Sequence, residues 1–479
     1  MKRRNALAAI PLSVGAVLSA AGQAAALDHI QKVSLEPRES HADQYMRKTI
    51  DMLTWIRNTQ SQDLHEAAYA MARTIKNGGN CWFGWDMGHA RYDVFPGRIG
   101  MPDICHRGFN EKQAKNNDLY IVQVFGGNPQ VLIDKNIFVV GSPAPWSGDA
   151  LGAELLLDEV QKMKVRPNAD IWIENNITTL GAVVDVPGSP APTGPVSGIL
   201  GIVTYWMMIA DACRILARDG HPVTVLGDEQ ALKGDSVRWV SLDDPLMDDY
   251  FDEIMRQFSM IELEMGYIRQ VADMAVDTAL NGGVVFTYSR DYGALCAEGD
   301  SRRGGLALTK GLSDRDGVLT GANMGGRDSS NLVTDKDLVI MGIFSPDDEV
   351  DLKHLAYFKK QGAKTVSIGP MTRNISVYPS YFPLYNETYT GRTVPGEVDI
   401  HIGRMCDTYG LFAIPGLERK VCPTSGALPL QLFWVTCMEI VDRFIARTGN
   451  TPGIYMSSAL KKGKDHNHFM REQYAKRGY

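Results

Sequence analysis

The chain has 479 residues, with 49 Lys and Arg against 56 Asp and Glu and a formal charge of −7. That length suits two or three domains, each large enough for its own core. The acidic balance, without a basic stripe, argues against a nucleic-acid partner.

The first 26 residues read as an export signal. Lys2, Arg3 and Arg4 form a basic head, 6–21 is an apolar run of small residues interrupted by Pro11, and Ala24-Ala25-Ala26 fits a cleavage site before Leu27. The Arg3-Arg4 pair suggests the bacterial twin-arginine route, with Ala6 where a Phe is usual, and so a periplasmic or secreted address. The run is too short and too weakly apolar to make a convincing span. No Cys follows it for lipid attachment, so no stable membrane anchor is expected after cleavage. Removing its three positive charges gives −7 − 3 = −10.

Residues 27–40 form a polar arm. A helix is expected over 41–76, with Ile50, Leu53 and Ile56 at helical spacing and Asn77-Gly78-Gly79 ending it. Cys81-Trp82-Phe83 is a short strand that opens into the loop 84–90, which holds Asp86 and His89 as ligand contacts. Strands follow at 119–125 and 137–140. The loop 141–149 carries Ser142, Ser147 and Gly148, and a helix over 150–164 leads to strands at 171–173 and 183–186. Strands alternating with helices imply a parallel sheet covered on both faces.

The stretch that follows occurs twice. Pro187-Gly188 falls on Pro415-Gly416, and Pro195, Ser197, Gly198, Leu200 and Trp206 fall without a gap on Pro423, Ser425, Gly426, Leu428 and Trp434. One residue later in register, Ala217-Arg218 and Gly220 match Ala446-Arg447 and Gly449. A repeat of about two hundred residues reads as two copies of one domain. Each copy places Pro-x-Ser-Gly at the head of a long apolar helix. Pro is tolerated in a first helical turn, and the hydroxyl with the free backbone N–H groups suits an anion or polar ligand. A tightly packed helix start explains the same residues equally well.

A polar segment, 227–246, is the expected linker. The second copy opens with a long helix over 247–280, Asn281-Gly282-Gly283, and a strand at 284–286. Ser289 and Arg290 lie in the next loop, and a helix carrying Glu298, Arg302 and Arg303 is expected to run to about Leu308. A strand at 338–343 ends in Ser345-Pro346-Asp347-Asp348-Glu349, a helix fills 350–361 up to Gly362, and strands at 365–368 and 398–402 precede the second repeated helix. The ending, 461–479, is polar and basic.

These loops sit where an open parallel sheet binds ligands, beyond the carboxyl ends of its strands. The order of motifs resembles the sugar isomerase (SIS) domain. Ser289 through Glu298 to Gly304-Gly305-Leu306, Asp337 through Ser345, Gly362 through Ile368, and Pro423-Thr424-Ser425-Gly426 carry the likeness in the second copy. In the first copy it rests on 84–90 and Gly194-Pro195-Val196-Ser197. The resemblance implies two tandem three-layer αβα, flavodoxin-like α/β domains at 41–226 and 247–479, packed as a pseudo-dimer through their long helices, with homo-oligomerisation left open. It also implies a carbohydrate-derivative ligand held by residues such as Ser142, Ser147, Ser197, Ser289, Ser345, Thr424 and Ser425.

The departures are informative. The family's phosphate loop is rich in hydroxyls, whereas Asp347, Asp348 and Glu349 favour a helix start and repel a phosphate. Two functions remain: binding of a sugar or sugar phosphate without chemistry, or aldose–ketose isomerisation with Glu298 as general base. No cofactor is expected: the chain has no Gly-rich dinucleotide fingerprint and no Gly-x-Ser-x-Gly elbow. Asp103, His106 and His89 lack metal-ligand spacing. Among the seven cysteines, Cys81, Cys213, Cys296 and Cys437 read as buried small hydrophobes, and no C-x-x-C supports a zinc or redox site.

Overall fold

The first helix, α1 (His41–Lys76), spans the predicted range and buries Tyr45, Leu53, Ile56, Leu64 and Met71. The computed structural model describes residues 39–84, 93–94, 98, 100–122, 129–141, 169–177, 181–221, 223–225, 239–290, 294–300, 304–315, 318–321, 333–343, 345–371, 391–406, 410–456 and 462–475. The export signal, most of the polar arm, the helix expected at 150–164 and much of the linker lie outside them. Helix α1 stops at Gly78, where φ is 74°, and the Gly79 N–H donates to Thr74 O at 2.9 Å. Such a left-handed turn is where glycine is favoured.

Strands β1 (Cys81–Phe83), β2 (Cys105–Arg107) and β3 (Leu119–Val122), the short helix α2 (Pro129–Asp134), and strands β4 (Phe138–Gly141) and β5 (Ile171–Trp172) follow. The sheet is parallel, ordered β2-β1-β3-β4-β5. This is the doubly wound arrangement, whose order reverses between β1 and β3. The expected strand at 183–186 is instead one arm of an antiparallel hairpin: β6 (Ala182–Val184) pairs with β7 (Thr193–Pro195) outside the main sheet. The Pro187-Gly188 turn folds the chain back between them, with Gly188 at φ 80°. Then comes α3 (Ser197–Arg218), buried along nearly its whole length. By length and composition it could cross a membrane, but every residue of its apolar window is buried inside the protein, as a core helix that is apolar all round should be.

In the second half the long helix expected over 247–280 is broken. α4 (Leu246–Ser259) passes through a tight 3₁₀ segment, Met260–Glu264, into α5 (Met265–Leu280). The three-residue period of that segment aligns Ile261 with Glu264, both buried, and Glu264 meets Arg404 at 3.5 Å. Asn281-Gly282-Gly283 closes α5 as Asn77-Gly78-Gly79 closes α1: Gly282 has φ 77° and the Gly283 N–H donates to Thr278 O at 2.8 Å.

Strand β8 (Val285–Arg290) leads to α6 (Ala294–Gly299), which ends about nine residues before the sequence suggests. Gly304, at φ 71°, turns the chain into β9 (Thr309–Arg315) and its hairpin partner β10 (Val318–Gly321), neither legible in advance. Then follow β11 (Leu338–Gly342), α7 (Glu349–Lys360), β12 (Lys364–Ile368), α8 (Val394–Glu397), β13 (Ile400–Ile402), α9 (Ala427–Thr448) and α10 (Gly463–Ala475). The sheet is ordered β10-β9-β8-β11-β12-β13. Apart from the antiparallel edge strand β10, all neighbours are parallel, and β9-β8-β11-β12-β13 reproduces the order of the first sheet. The fold is therefore mixed α/β with two doubly wound parallel sheets.

Residues His41–Tyr479 form one compact unit, and one apolar cluster runs through it, drawing on α1, α3, α4, α5 and α9. α1 packs on α3 and α9, α3 on α4, and α5 on α9.

The amino edges of both sheets are pinned by carboxylates at matching positions. Asp118 accepts from Asn80 N at 2.8 Å, Trp82 Nε1 at 2.8 Å and Lys115 N at 2.9 Å. Asp337 accepts from Val284 N and Thr334 N, both at 2.7 Å. Two strands further on, Asp170 takes Val139 N and Asp399 takes Thr365 N, again both at 2.7 Å. Burial pushes the Asp118 carboxyl up, but the Trp82, Asn80 and Lys115 donors outweigh it and hold it below its ordinary value. A depressed carboxyl contributes stability above the unfolded value, about 3.9, and that contribution is lost as pH falls through the folded value. Asp118→Ala should therefore cost about 3 kcal/mol at pH 7, with the gap from wild type narrowing below about pH 4. Urea midpoints at pH 7 and pH 3 check both parts, and a gap that does not shrink in acid would contradict the assignment.

Candidate functional site

The two repeated helices start later than the sequence suggests. Val196 is the N-cap of α3 and Gly426 that of α9, neither with a side-chain cap. Pro195 and Pro423 thus precede the first turn rather than lie in it. Their carbonyls are held alike: Tyr45 Oη donates to Pro195 O at 2.9 Å and Tyr250 Oη to Pro423 O at 3.2 Å. Ser197, Thr424 and Ser425 are all buried at these heads.

Each head is met by a segment from the other half. Gly194 N donates to Gly304 O at 3.2 Å, and Cys422 N, at the matching position, donates to Gly100 O at 3.2 Å. Both donors take left-handed φ, 70° at Gly194 and 62° at Cys422. The pairing is reciprocal, as in an isologous two-fold contact. The short runs after the helices are held alike within each half: Asp103 N donates to Thr224 O at 2.7 Å in the first and Ala307 N to Gly453 O at 2.8 Å in the second.

Beside the head of α9, Ser289, Leu295, Gly342, Ile343, Ser425 and Gly426 line a cavity with Pro429 and Leu430. Ser289 ends the inward run of β8 and Gly342 ends β11, so the cavity lies at the carboxyl edge where strand order reverses. Doubly wound sheets bind ligands at such switch points. Its volume is about 20 Å³, the scale of a single ordered water. As it stands it accommodates one polar group of a ligand. Ser289 Oγ accepts from Cys296 N at 3.0 Å.

Ser425 Oγ accepts from Arg98 Nη2 at 3.0 Å, a contact spanning 327 positions of sequence. The same Nη2 lies 2.7 Å from Asp93 Oδ1, and Asp93 Oδ2 accepts from Trp206 Nε1 at 2.9 Å. The Asp93 carboxylate lies directly against Gly426, because a Cβ built there would fall 1.9–2.1 Å from its atoms. Burial pushes the Asp93 carboxyl up, while Arg98 and Trp206 pull it back. Neither Asp93 nor Arg98 was a sequence candidate. No local pattern announces a contact made across the whole chain.

Glu298, the general-base candidate, lies on α6 at 1% exposure. Its Oε2 accepts from Trp434 Nε1 at 3.2 Å. Trp434 matches Trp206 in the repeat, so each tryptophan donates its indole N–H to a buried carboxylate, Glu298 or Asp93. Arg290 pairs with Asp348, whose Oδ1 caps α7 by accepting from Val350 N at 2.9 Å and Asp351 N at 3.1 Å. Ser345 Oγ donates to Asp347 Oδ1 at 2.9 Å. The acidic loop therefore serves its own helix, as Asp at an N-cap does. The structure brings Ser289 and Ser425 to one cavity and places Arg290 and Ser345 at the neighbouring α7 head. Asp86, His89, Ser142, Ser147 and Gly148 lie outside the described residues.

Other chemistry finds little footing. All seven cysteines are buried, and burial raises the thiols of Cys81, Cys213 and Cys296, disfavouring the nucleophilic thiolate. His401 Nδ1 lies 2.8 Å from Ser367 Oγ on adjacent strands. Burial, helped by Arg404, lowers its pKa to about 3, so its imidazole stays neutral at physiological pH. Among the described residues, no group of three or more His, Cys, Asp or Glu is placed to hold a metal.

No family model matches the chain, and no curated protein matches its sequence. Among solved structures it is similar to the C-terminal domain of glucosamine-fructose-6-phosphate aminotransferase from Francisella tularensis, at 11% identity and TM-score 0.39, over 85% of this chain and 97% of that one. It is also similar to tagatose-6-phosphate ketose/aldose isomerase from Escherichia coli, at 12% identity and TM-score 0.38, over 86% and 94%. A third likeness is to glucosamine-6-phosphate deaminase from Thermotoga maritima, at 10% identity and TM-score 0.36, over 87% and 98%.

Proposed function

We propose that the chain is a tandem pair of SIS-type domains, exported through its amino-terminal signal, that binds a sugar or sugar derivative at the strand carboxyl ends. The observation that carries this is the cavity shared by Ser289, Gly342 and Ser425, which puts two hydroxyls and a helix head at a sheet switch point. The reciprocal Gly194–Gly304 and Cys422–Gly100 bonds support descent of the two halves from one domain.

Binding is favoured over isomerisation. Proton transfer needs a base within hydrogen-bond reach of the sugar carbon it serves, and the Glu298 carboxylate is buried against Trp434. Isomerisation remains the second reading, with Glu298 as base after an opening of α6 from α9.

Titration calorimetry with a panel of hexoses, hexosamines and their phosphates tests the proposal. At least one is expected to bind, and Ser425→Ala, which removes the hydroxyl but leaves the helix, should weaken it about tenfold. Heat from no member of the panel would overturn it. Deuterium wash-in at C1 or C2 of the bound sugar, abolished in Glu298→Gln, would select the isomerase.

A further inference from the structure

We infer that the second-half site takes a neutral, hydroxyl-bearing ligand and excludes a phosphorylated one, because a carboxylate of the chain itself stands against the α9 head beside the cavity and another caps the neighbouring α7 head. This rests on the proposed carbohydrate-binding role and narrows its ligand class.

A helix amino terminus attracts an anion through its unpaired N–H groups and dipole. At α9 a carboxylate of the chain already stands beside that place. The Asp93 carboxylate lies against the N-cap Gly426, within 1.9–2.1 Å of where a Cβ would stand, and at 0% exposure it is shielded from solvent. Arg98, the buried guanidinium nearest this head, is engaged with Asp93 Oδ1 at 2.7 Å and Ser425 Oγ at 3.0 Å. At α7, Asp348 takes the first-turn N–H groups of Val350 and Asp351 and also holds Arg290, while Asp347 stands beside it on Ser345. An incoming phosphate would meet a carboxylate at either head, and at the buried α9 head water screens that repulsion poorly. A hydroxyl meets no such repulsion. It can exchange hydrogen bonds with a serine, and Ser289 and Ser425 line the cavity.

The test uses inorganic phosphate as the bare anion and thermal unfolding as the readout, at constant ionic strength against chloride. Wild-type protein should show no rise in midpoint with phosphate. Asp348→Asn keeps an N-cap side chain and removes one charge. Asp93→Asn removes the other. Either variant should gain a phosphate-dependent rise, and Asp348→Asn, at a partly exposed position, keeps the test open if Asp93→Asn does not fold. In calorimetry, wild-type affinity for a hexose should exceed that for its 6-phosphate by about tenfold or more.

A wild-type midpoint that rises with phosphate as much as the variants', or tighter binding of the 6-phosphate, overturns the inference. In the latter case the carbohydrate-binding role still stands. A phosphate response confined to the variants, with no sugar bound by any form, upholds the anion exclusion and rejects the carbohydrate role.

Discussion

Arg98→Met is expected to lower folding stability by about 3–5 kcal/mol at neutral pH, the usual cost of removing one partner from a buried ion pair. Asp93 and Arg98 are both shielded from solvent, at 0% and 4% exposure. Their contact bridges to Ser425 in the other half. Without the guanidinium, the Asp93 carboxylate keeps the Trp206 N–H and must either stay charged in a buried setting or take up a proton. Burial already raises its affinity for that proton, and loss of Arg98 raises it further. A carboxyl whose folded value lies above its unfolded one loses stability as pH rises through the folded value. The deficit of Arg98→Met should therefore be smaller at pH 5 than at pH 7. Adding Asp93→Asn should recover part of it, because an amide leaves no unpaired charge. Urea midpoints for the two single variants and the double variant, at both pH values, measure this. A loss below about 1 kcal/mol, typical of an exposed pair, would mean that the pair is not buried at the α9 head.

Trp206→Ala and Trp434→Ala should each cost about 3–5 kcal/mol through the cavity left in the core. Both side chains are among the largest fully buried ones, at 0% and 1% exposure. Each has a second role, donating to Asp93 or Glu298. Trp434→Phe separates the two, keeping most of the ring while leaving Glu298 without its indole donor. About 1–3 kcal/mol of the loss should appear in that variant. If the halves share an architecture, the Phe and Ala variants at 206 and 434 should rank in the same order. Equilibrium unfolding of the four variants checks it. A tolerated Trp434→Ala would detach Glu298 from the core and restore it as an accessible base.

Much of the fold is legible where local chemistry decides it. Asn-Gly-Gly ends α1 and α5 because the chain needs a left-handed residue past each helix, and Gly78 and Gly282 supply it. Pro187-Gly188 and Pro415-Gly416 announce turns for the same reason, with φ of 80° and 90° at the glycines. The continuous apolar run of α3 and α9 gives their length. What escapes is set by partners distant in sequence. β9 reads Thr-Lys-Gly-Leu-Ser-Asp-Arg, a poor strand by composition, and forms because β8 pairs with it along its length. The break at Met260–Glu264 follows from Glu264 reaching Arg404, far along the chain.

The candidate site divides along the same line. Ser289 and Ser425 are visible because the repeat and the strand ends mark them, and they do meet at one cavity. Asp93 and Arg98 decide the charge at that cavity's helix head, yet they come from the other half and carry no signal of their own. Glu298 looks in sequence like a free helix carboxylate. Its tie to Trp434 depends on how α6 lies on α9, which only packing determines.

The most direct measurement is a crystal structure of the protein soaked with the tightest-binding sugar from the calorimetric panel. The sugar should lie at the carboxyl ends of β8 and β11, with one hydroxyl between Ser289 Oγ and Ser425 Oγ and with Asp93 still against Gly426. A sugar bound on another surface, or an open switch point left vacant at saturating concentration, would contradict the assignment of this crevice as the binding site.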